Sequence, residues 1–121
     1  MSLPESDDVL VLLHNPRCSK SRAAKGLLEE RGADFVERRY LDEPLSREEL
    51  AELARRLGRP AAEWARQGES AWAEAGLEAS SSDDEILDAM ASHPILVERP
   101  ILVRGRRAVV GRPTESVLEL L

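Results

Sequence analysis

Apolar positions recur along this chain with two different periods, and the switches between them mark out its elements. Residues 9–13, Val9-Leu10-Val11-Leu12-Leu13, are continuously apolar and predict a short buried strand. The spacing over 22–31 predicts a helix with Ala24, Leu27 and Leu28 on one face and Gly32 as its stop. Phe35 and Val36 open a second strand over 35–41, although Glu37-Arg38-Arg39 dilutes its apolar character. Ser46 and Glu49 stand at capping-box spacing, and Leu50, Leu53, Ala54 and Leu57 follow on one helical face up to Gly58. Pro60 suits the first turn of another helix running to residue 67, and residues 72–75 form a short piece ended by Gly76. Ser82 and Glu85 repeat the capping box and open a helix to residue 91, which His93-Pro94 breaks. Two apolar runs, 100–103 and 108–110, flank Arg104-Gly105-Arg106-Arg107 and predict a hairpin. Residues 114–121 close the chain as a helix with Val117, Leu118 and Leu121 on its buried side.

The order is strand–helix–strand, a helical insertion at about 46–91, then strand–strand–helix. A right-handed crossover makes the first two strands parallel, and the hairpin adds antiparallel ones. The fold class is therefore α/β: a small mixed four-stranded sheet flanked by helices. Residues 9–121 read as one domain, preceded by a flexible leader over 1–8.

Composition narrows the partners. Hydrophobic residues make up 42% but aromatic ones only 3%, so the core must be aliphatic. The net charge of −6 disfavours general binding to nucleic acid or to anionic membranes. No apolar stretch approaches the roughly 20 residues of a membrane helix, and residues 1–8 lack the basic flank and apolar core of a secretory signal. With a single cysteine no internal disulfide can form, which favours a reducing, cytoplasmic setting. His14, His93 and Cys18 have no recognisable metal-ligand spacing.

That cysteine, Cys18, carries the candidate chemistry. It lies in His14-Asn15-Pro16-Arg17-Cys18-Ser19-Lys20-Ser21-Arg22, between a strand and a helix. Backbone N–H groups and the helix dipole at such a turn favour negative charge, and cationic side chains crowd the same segment. This is a setting in which a thiol becomes a nucleophilic thiolate. His14 supports the thiolate or holds a structural hydrogen bond, and Ser21, one helical turn on, is placed to donate to the sulfur. Arg17, Lys20 and Arg22 read as surface charges, Arg104, Arg106 and Arg107 as a solvated turn, and Trp64 and Trp72 as packing residues.

The Cys18 segment resembles the active-site loop of the ArsC-type, glutaredoxin-dependent arsenate reductases. Two later segments, His93-Pro94-Ile95-Leu96-Val97-Glu98-Arg99-Pro100-Ile101 and Gly111-Arg112-Pro113, resemble the same family. The three motifs in order are specific, and the likeness spans residues 9–121, nearest to the YfgD-like branch. It implies a thioredoxin-like fold, Cys18 as nucleophile with His14 in support, and Arg66, Arg99 and Arg112 as holders of the oxyanion. It also implies a cis Arg99-Pro100 bond.

The implied activity is reduction of arsenate to arsenite through a Cys18 thioarsenate adduct, resolved by glutathione and glutaredoxin. Glutathione is then a co-substrate, no cofactor is bound, and the protein is a monomer. The alternatives are a thiol oxidoreductase acting on another oxyanion or on a glutathione mixed disulfide, and a non-catalytic protein-binding regulator of the Spx type. Regulators of that type usually carry Cys-x-x-Cys, and here Ser21 stands at the second position.

Overall fold

The computed structural model describes residues 3–121. Strand β1 (Leu10–Leu13) is buried at every position, and its alternating side chains feed two cores. Leu10 and Leu12 pack with Ala24 and Leu28 of helix α1 (Ser19–Glu30) and with Val117 and Leu120. Val11 and Leu13 join the larger cluster on the opposite face, with Leu50, Leu53, Trp64 and Met90. A strand covered on both faces reads as a continuous apolar run.

The sheet runs β2-β1-β3-β4. Strand β2 (Val36–Arg38) lies parallel to β1, while β3 (Ile101–Arg104) and β4 (Arg107–Val110) complete it antiparallel. The mixed four-stranded sheet expected from the sequence is thus the one observed. Leu13 pairs with Arg38 and with Ile101, and Ile101 pairs with Val110. The segments after β1, after β2, before β3 and after β4 therefore emerge at one end of the sheet. Between the halves lie helices α2 (Arg47–Leu57), α3 (Ser70–Glu74) and α4 (Asp83–Ser92), with a 3-10 turn at Ala61–Trp64. Both predicted capping boxes are present in full, Ser46 with Glu49 and Ser82 with Glu85.

Several expectations are corrected. Strand β2 has three residues rather than seven, because the Arg39 carbonyl accepts from Asp42 and Glu43 N–H in a turn that carries Tyr40 into the core. The helix expected after Pro60 stops at Trp64, because Ala65 bridges Val97 and Arg66 N–H donates to the Leu96 carbonyl at 2.7 Å. The last element, Thr114–Leu120, is 3-10 rather than α. Its three-residue period buries Val117 and Leu120, leaving Leu118 half-buried and Leu121 exposed. The flexible leader expected over 1–8 does not hold for residues 3–8. Leu3 is buried in the main core, the carbonyls of Leu3 and Pro4 accept from Arg56, and the Asp7 carbonyl accepts from Arg104. Residues 1 and 2 lie outside the described residues. Arg104 belongs to β3, so the hairpin turn shrinks to Gly105-Arg106, with Gly105 at φ 56°.

Glu49 ties the sheet edge to the helical block. One of its carboxylate oxygens closes the α2 capping box, and the pair accepts from both Arg38 terminal nitrogens at 2.6 and 3.0 Å, almost wholly buried. Burial raises its pKa, but Arg38 and the Ser46 N–H outweigh that, and the net shift is downward. A carboxyl depressed in the folded state stabilises fully above the unfolded value of about 4.3 and loses that contribution as pH falls through the folded value. Glu49→Gln is expected to cost about 1–3 kcal/mol at pH 7. Urea denaturation at pH 7 and pH 3 checks this: the gap between wild type and variant narrows at the lower pH, and an undiminished gap contradicts the account.

Candidate active site

The turn after β1 is fixed by its own backbone. His14 N–H continues the sheet ladder to the Arg38 carbonyl at 2.9 Å, and Cys18 N–H closes the turn on the Asn15 carbonyl at 3.0 Å. The Asn15 side-chain oxygen accepts from Arg17 N–H at 3.0 Å, and an Arg22 terminal nitrogen donates to the Pro16 carbonyl at 2.9 Å. These bonds start α1 at Ser19, three residues before the apolar periodicity begins, and make Cys18 its N-cap.

Cys18 has no side-chain oxygen to cap with, and the first turn of α1 contains no acidic residue. In α2 and α4 the same position is filled by serine with acidic residues following. The first N–H groups of α1 are therefore left for the sulfur and for whatever anion it meets. Burial pushes the Cys18 thiol up. The backbone N–H groups of Ser21 and Lys20, together with the Arg99 guanidinium, more than offset this and hold it below the ordinary value.

Arg99 arrives from the opposite direction, immediately before β3, across a cis Arg99-Pro100 bond. Its Nε and one Nη are buried with no hydrogen-bond partner among the described residues. Tyr40 stands by the same guanidinium, with its hydroxyl donating to the Val97 carbonyl at 3.4 Å. Burial raises the Tyr40 pKa to about 12, so the phenol stays protonated beside the sulfur. Arg112 joins through backbone: its Nε donates to the Arg99 carbonyl at 2.9 Å and lies 3.2 Å from a Glu98 oxygen. Gly111 permits that approach. Its N–H donates to the Pro100 carbonyl at 2.8 Å, and a Cβ there would come within 2.8 Å of the Pro100 ring. The Arg112-Pro113 bond is also cis.

Arg66 is brought to the segment leading into Arg99, with its N–H donating to the Leu96 carbonyl and one Nη paired with Glu69 at 3.2 Å. Its other Nη is buried without a partner among the described residues. Two residues behave differently from the sequence-based expectation. The Ser21 hydroxyl accepts from Asn15 N–H at 3.4 Å, and Ser21 acts on the sulfur through its backbone N–H instead. His14 faces away along the sheet: its Nε2 lies 3.7 Å from Glu37, which also pairs with Lys25 at 2.9 Å and with Arg39 at 3.1 Å. Burial lowers the His14 pKa, Glu37 raises it, and Lys25, Arg39 and Arg22 lower it further, leaving a neutral imidazole.

Tyr40, Glu98 and Asn15 were not anticipated. Glu98 did carry a signal, because it directly precedes Arg99-Pro100 in the quoted motif. Tyr40 carried little, being the lone tyrosine at the end of a weak strand.

Fold and site together define a thioredoxin-like protein with a single thiol at a helix N-terminus and the Arg99 guanidinium beside it. The chain belongs to the ArsC family, whose profile matches residues 13–120. It is 44% identical to the arsenate reductase of Neisseria meningitidis serogroup A over 112 residues, which covers 91% of this chain and 96% of the relative. It is 42% identical to the uncharacterized protein YfgD of Escherichia coli K12, covering 91% and 94%. The solved structure of an arsenate reductase from Vibrio cholerae superposes with a TM-score of 0.88 at 43% identity, covering 93% of this chain and 98% of that one.

The geometry makes Cys18 reactivity measurable without any substrate. The pH midpoint of iodoacetamide alkylation should fall below the ordinary thiol value of 9.0, and Arg99→Ala should move it upward. A wild-type midpoint at or above the ordinary value contradicts the site as described.

Proposed function

We propose that this protein reduces arsenate to arsenite, using glutathione and glutaredoxin as the source of electrons. The observation that carries the reading is the meeting of an acidified Cys18 thiol with an Arg99 guanidinium whose buried Nε and one buried Nη have no partner among the described residues. Arginine presents paired donors to a tetrahedral oxyanion and keeps its charge at any working pH. The relatives named as arsenate reductases at 44% and 43% identity support the choice of anion.

Arsenate enters beside the first turn of α1, where Arg99, Arg112 and Arg66 with the helix N–H groups neutralise its charge. Without them the anion and the thiolate would repel. The Cys18 sulfur attacks arsenic, one As–O bond breaks, and the oxygen leaves as water once protonated. Glutathione thiolate then attacks the Cys18 sulfur. An S–S bond forms, the S–As bond breaks, and its electron pair stays on arsenic, which departs as arsenite. The two sulfurs are oxidised and arsenic is reduced by two electrons. Glutaredoxin reduces the Cys18–glutathione disulfide and restores the thiol. The chain has no second cysteine to do this internally. The chemistry requires no bound metal or organic group, and it suits a monomer in a reducing compartment.

The test is arsenate-dependent NADPH oxidation coupled through glutathione, glutaredoxin and glutathione reductase. Cys18→Ser should abolish turnover. Arg99→Lys keeps the charge but loses the paired donors, and should lower kcat/KM for arsenate on the order of tenfold to a hundredfold. Arsenate turnover by the Cys18→Ser protein at the wild-type rate excludes the mechanism.

A further inference from the structure

The arginines assigned to the oxyanion are not equally free. Arg66 is paired with Glu69 and Arg112 with Glu98, each at 3.2 Å. Arg99 keeps a buried Nε and a buried Nη without a partner among the described residues.

Glu98 is the carboxylate built most firmly into this constellation. Its own N–H donates to the Trp64 carbonyl at 3.0 Å, which fixes the backbone there. One carboxylate oxygen accepts from Arg99 N–H at 3.1 Å and lies 3.2 Å from Arg112 Nε. Arg112 Nε in turn donates to the Arg99 carbonyl at 2.9 Å. The Glu98 side chain is only 22% exposed. It is therefore a fixed negative charge, bonded to the main chain of one arginine and to the guanidinium of the other. A backbone N–H and a guanidinium are the donors a tetrahedral anion takes, and Glu98 already holds one of each. Such a carboxylate orients Arg112, and it also neutralises it. The two effects have opposite consequences for an arriving anion.

We infer that Glu98 is a specificity-determining residue: its carboxylate occupies Arg112 and repels tetrahedral dianions that bind without reacting, so that inorganic phosphate is kept out while arsenate is reduced. This rests on the reading of the site as that of an arsenate reductase. Phosphate and arsenate share charge and shape, so arginines alone do not separate them. They differ in what a thiol can do, because it reduces arsenic(V) and does not reduce phosphorus(V). Bound phosphate stays a dianion beside a thiolate and a carboxylate, and all three repel one another. Arsenate passes through that arrangement on the way to the adduct. The S–As bond forms, one As–O bond breaks, and the oxygen leaves as water with protons from solvent. The adduct then carries less negative charge than the thiolate and the dianion did together. Glu98 weighs more heavily against the unreacted complex than against the adduct, and such a difference is what changes selectivity.

Inorganic phosphate is the probe that tests this. The phosphate concentration that half-protects Cys18 from iodoacetamide should be about threefold to tenfold lower in Glu98→Gln than in wild type. The glutamine oxygen still accepts from Arg99 N–H, so the turn is kept. A purely positioning role gives the reverse, since a loosened Arg112 holds anions less well. In the coupled assay the inhibition constant of phosphate should fall by the same factor, while kcat/KM for arsenate changes less than about twofold. Tighter phosphate protection in a protein without arsenate turnover upholds Glu98 as the excluding charge and refutes arsenate as the substrate. An unchanged or raised phosphate midpoint in Glu98→Gln overturns the inference. So does a kcat/KM for arsenate that rises as much as the phosphate inhibition constant falls.

Discussion

The site depends on one helix being left uncapped. Replacing a serine, threonine or aspartate N-cap typically costs about 1 kcal/mol, because its side-chain oxygen satisfies one of the first free N–H groups. This chain builds that bond twice, at Ser46 and Ser82, each reinforced by glutamate. At α1 it places Cys18 in the same position and keeps the first turn free of acids. The donors that would have been used for stability are turned on a sulfur atom. The thiol is partly buried, which by itself would keep it protonated, so the lowered pKa is a net result of backbone and arginine prevailing over desolvation.

Sheet order then decides what meets the sulfur. Two parallel strands followed by two antiparallel ones bring four chain segments to one end of the sheet. The sulfur comes with one, Tyr40 with the second, Arg99 with the third and Arg112 with the fourth. The contact of Gly111 on Pro100 locks the last two together. The arginines are not fully satisfied internally. Leaving a buried donor unpaired costs roughly 1–3 kcal/mol, and Arg99 and Arg66 carry three nitrogens without a partner among the described residues. These are the donors that the proposed oxyanion would satisfy. Glu98 holds Arg112 in the meantime.

The short strand β2 shows how period-two alternation gives adjacent residues separate roles. Glu37 and Arg39, two apart, pair with each other on the side of His14. Arg38, between them, points the other way and binds Glu49 of the helical block. One side of the strand thus orients a neutral imidazole beside the site, and the other anchors the insertion. The sequence Glu37-Arg38-Arg39 looked like a weakness in a strand; in the folded chain each residue has a defined partner.

Local patterns were enough to determine most elements and to single out the candidate nucleophile. An apolar run covered on both faces, two capping boxes and a glycine-centred hairpin act over a few residues, so composition and spacing reveal them. Cys18 was equally plain, since its turn is defined by its neighbours in the chain. The tertiary structure alone decided what depended on residues far apart: Tyr40 beside Arg99, Glu98 bridging to Arg112, His14 turned toward Glu37 rather than Cys18, and Leu3 drawn into the core. It also stopped the helix after Pro60, where the bridge from Ala65 to Val97 overrode local preference. Helical periodicity records which side of an element is apolar; it carries no information about which distant segment will take up a free donor or acceptor.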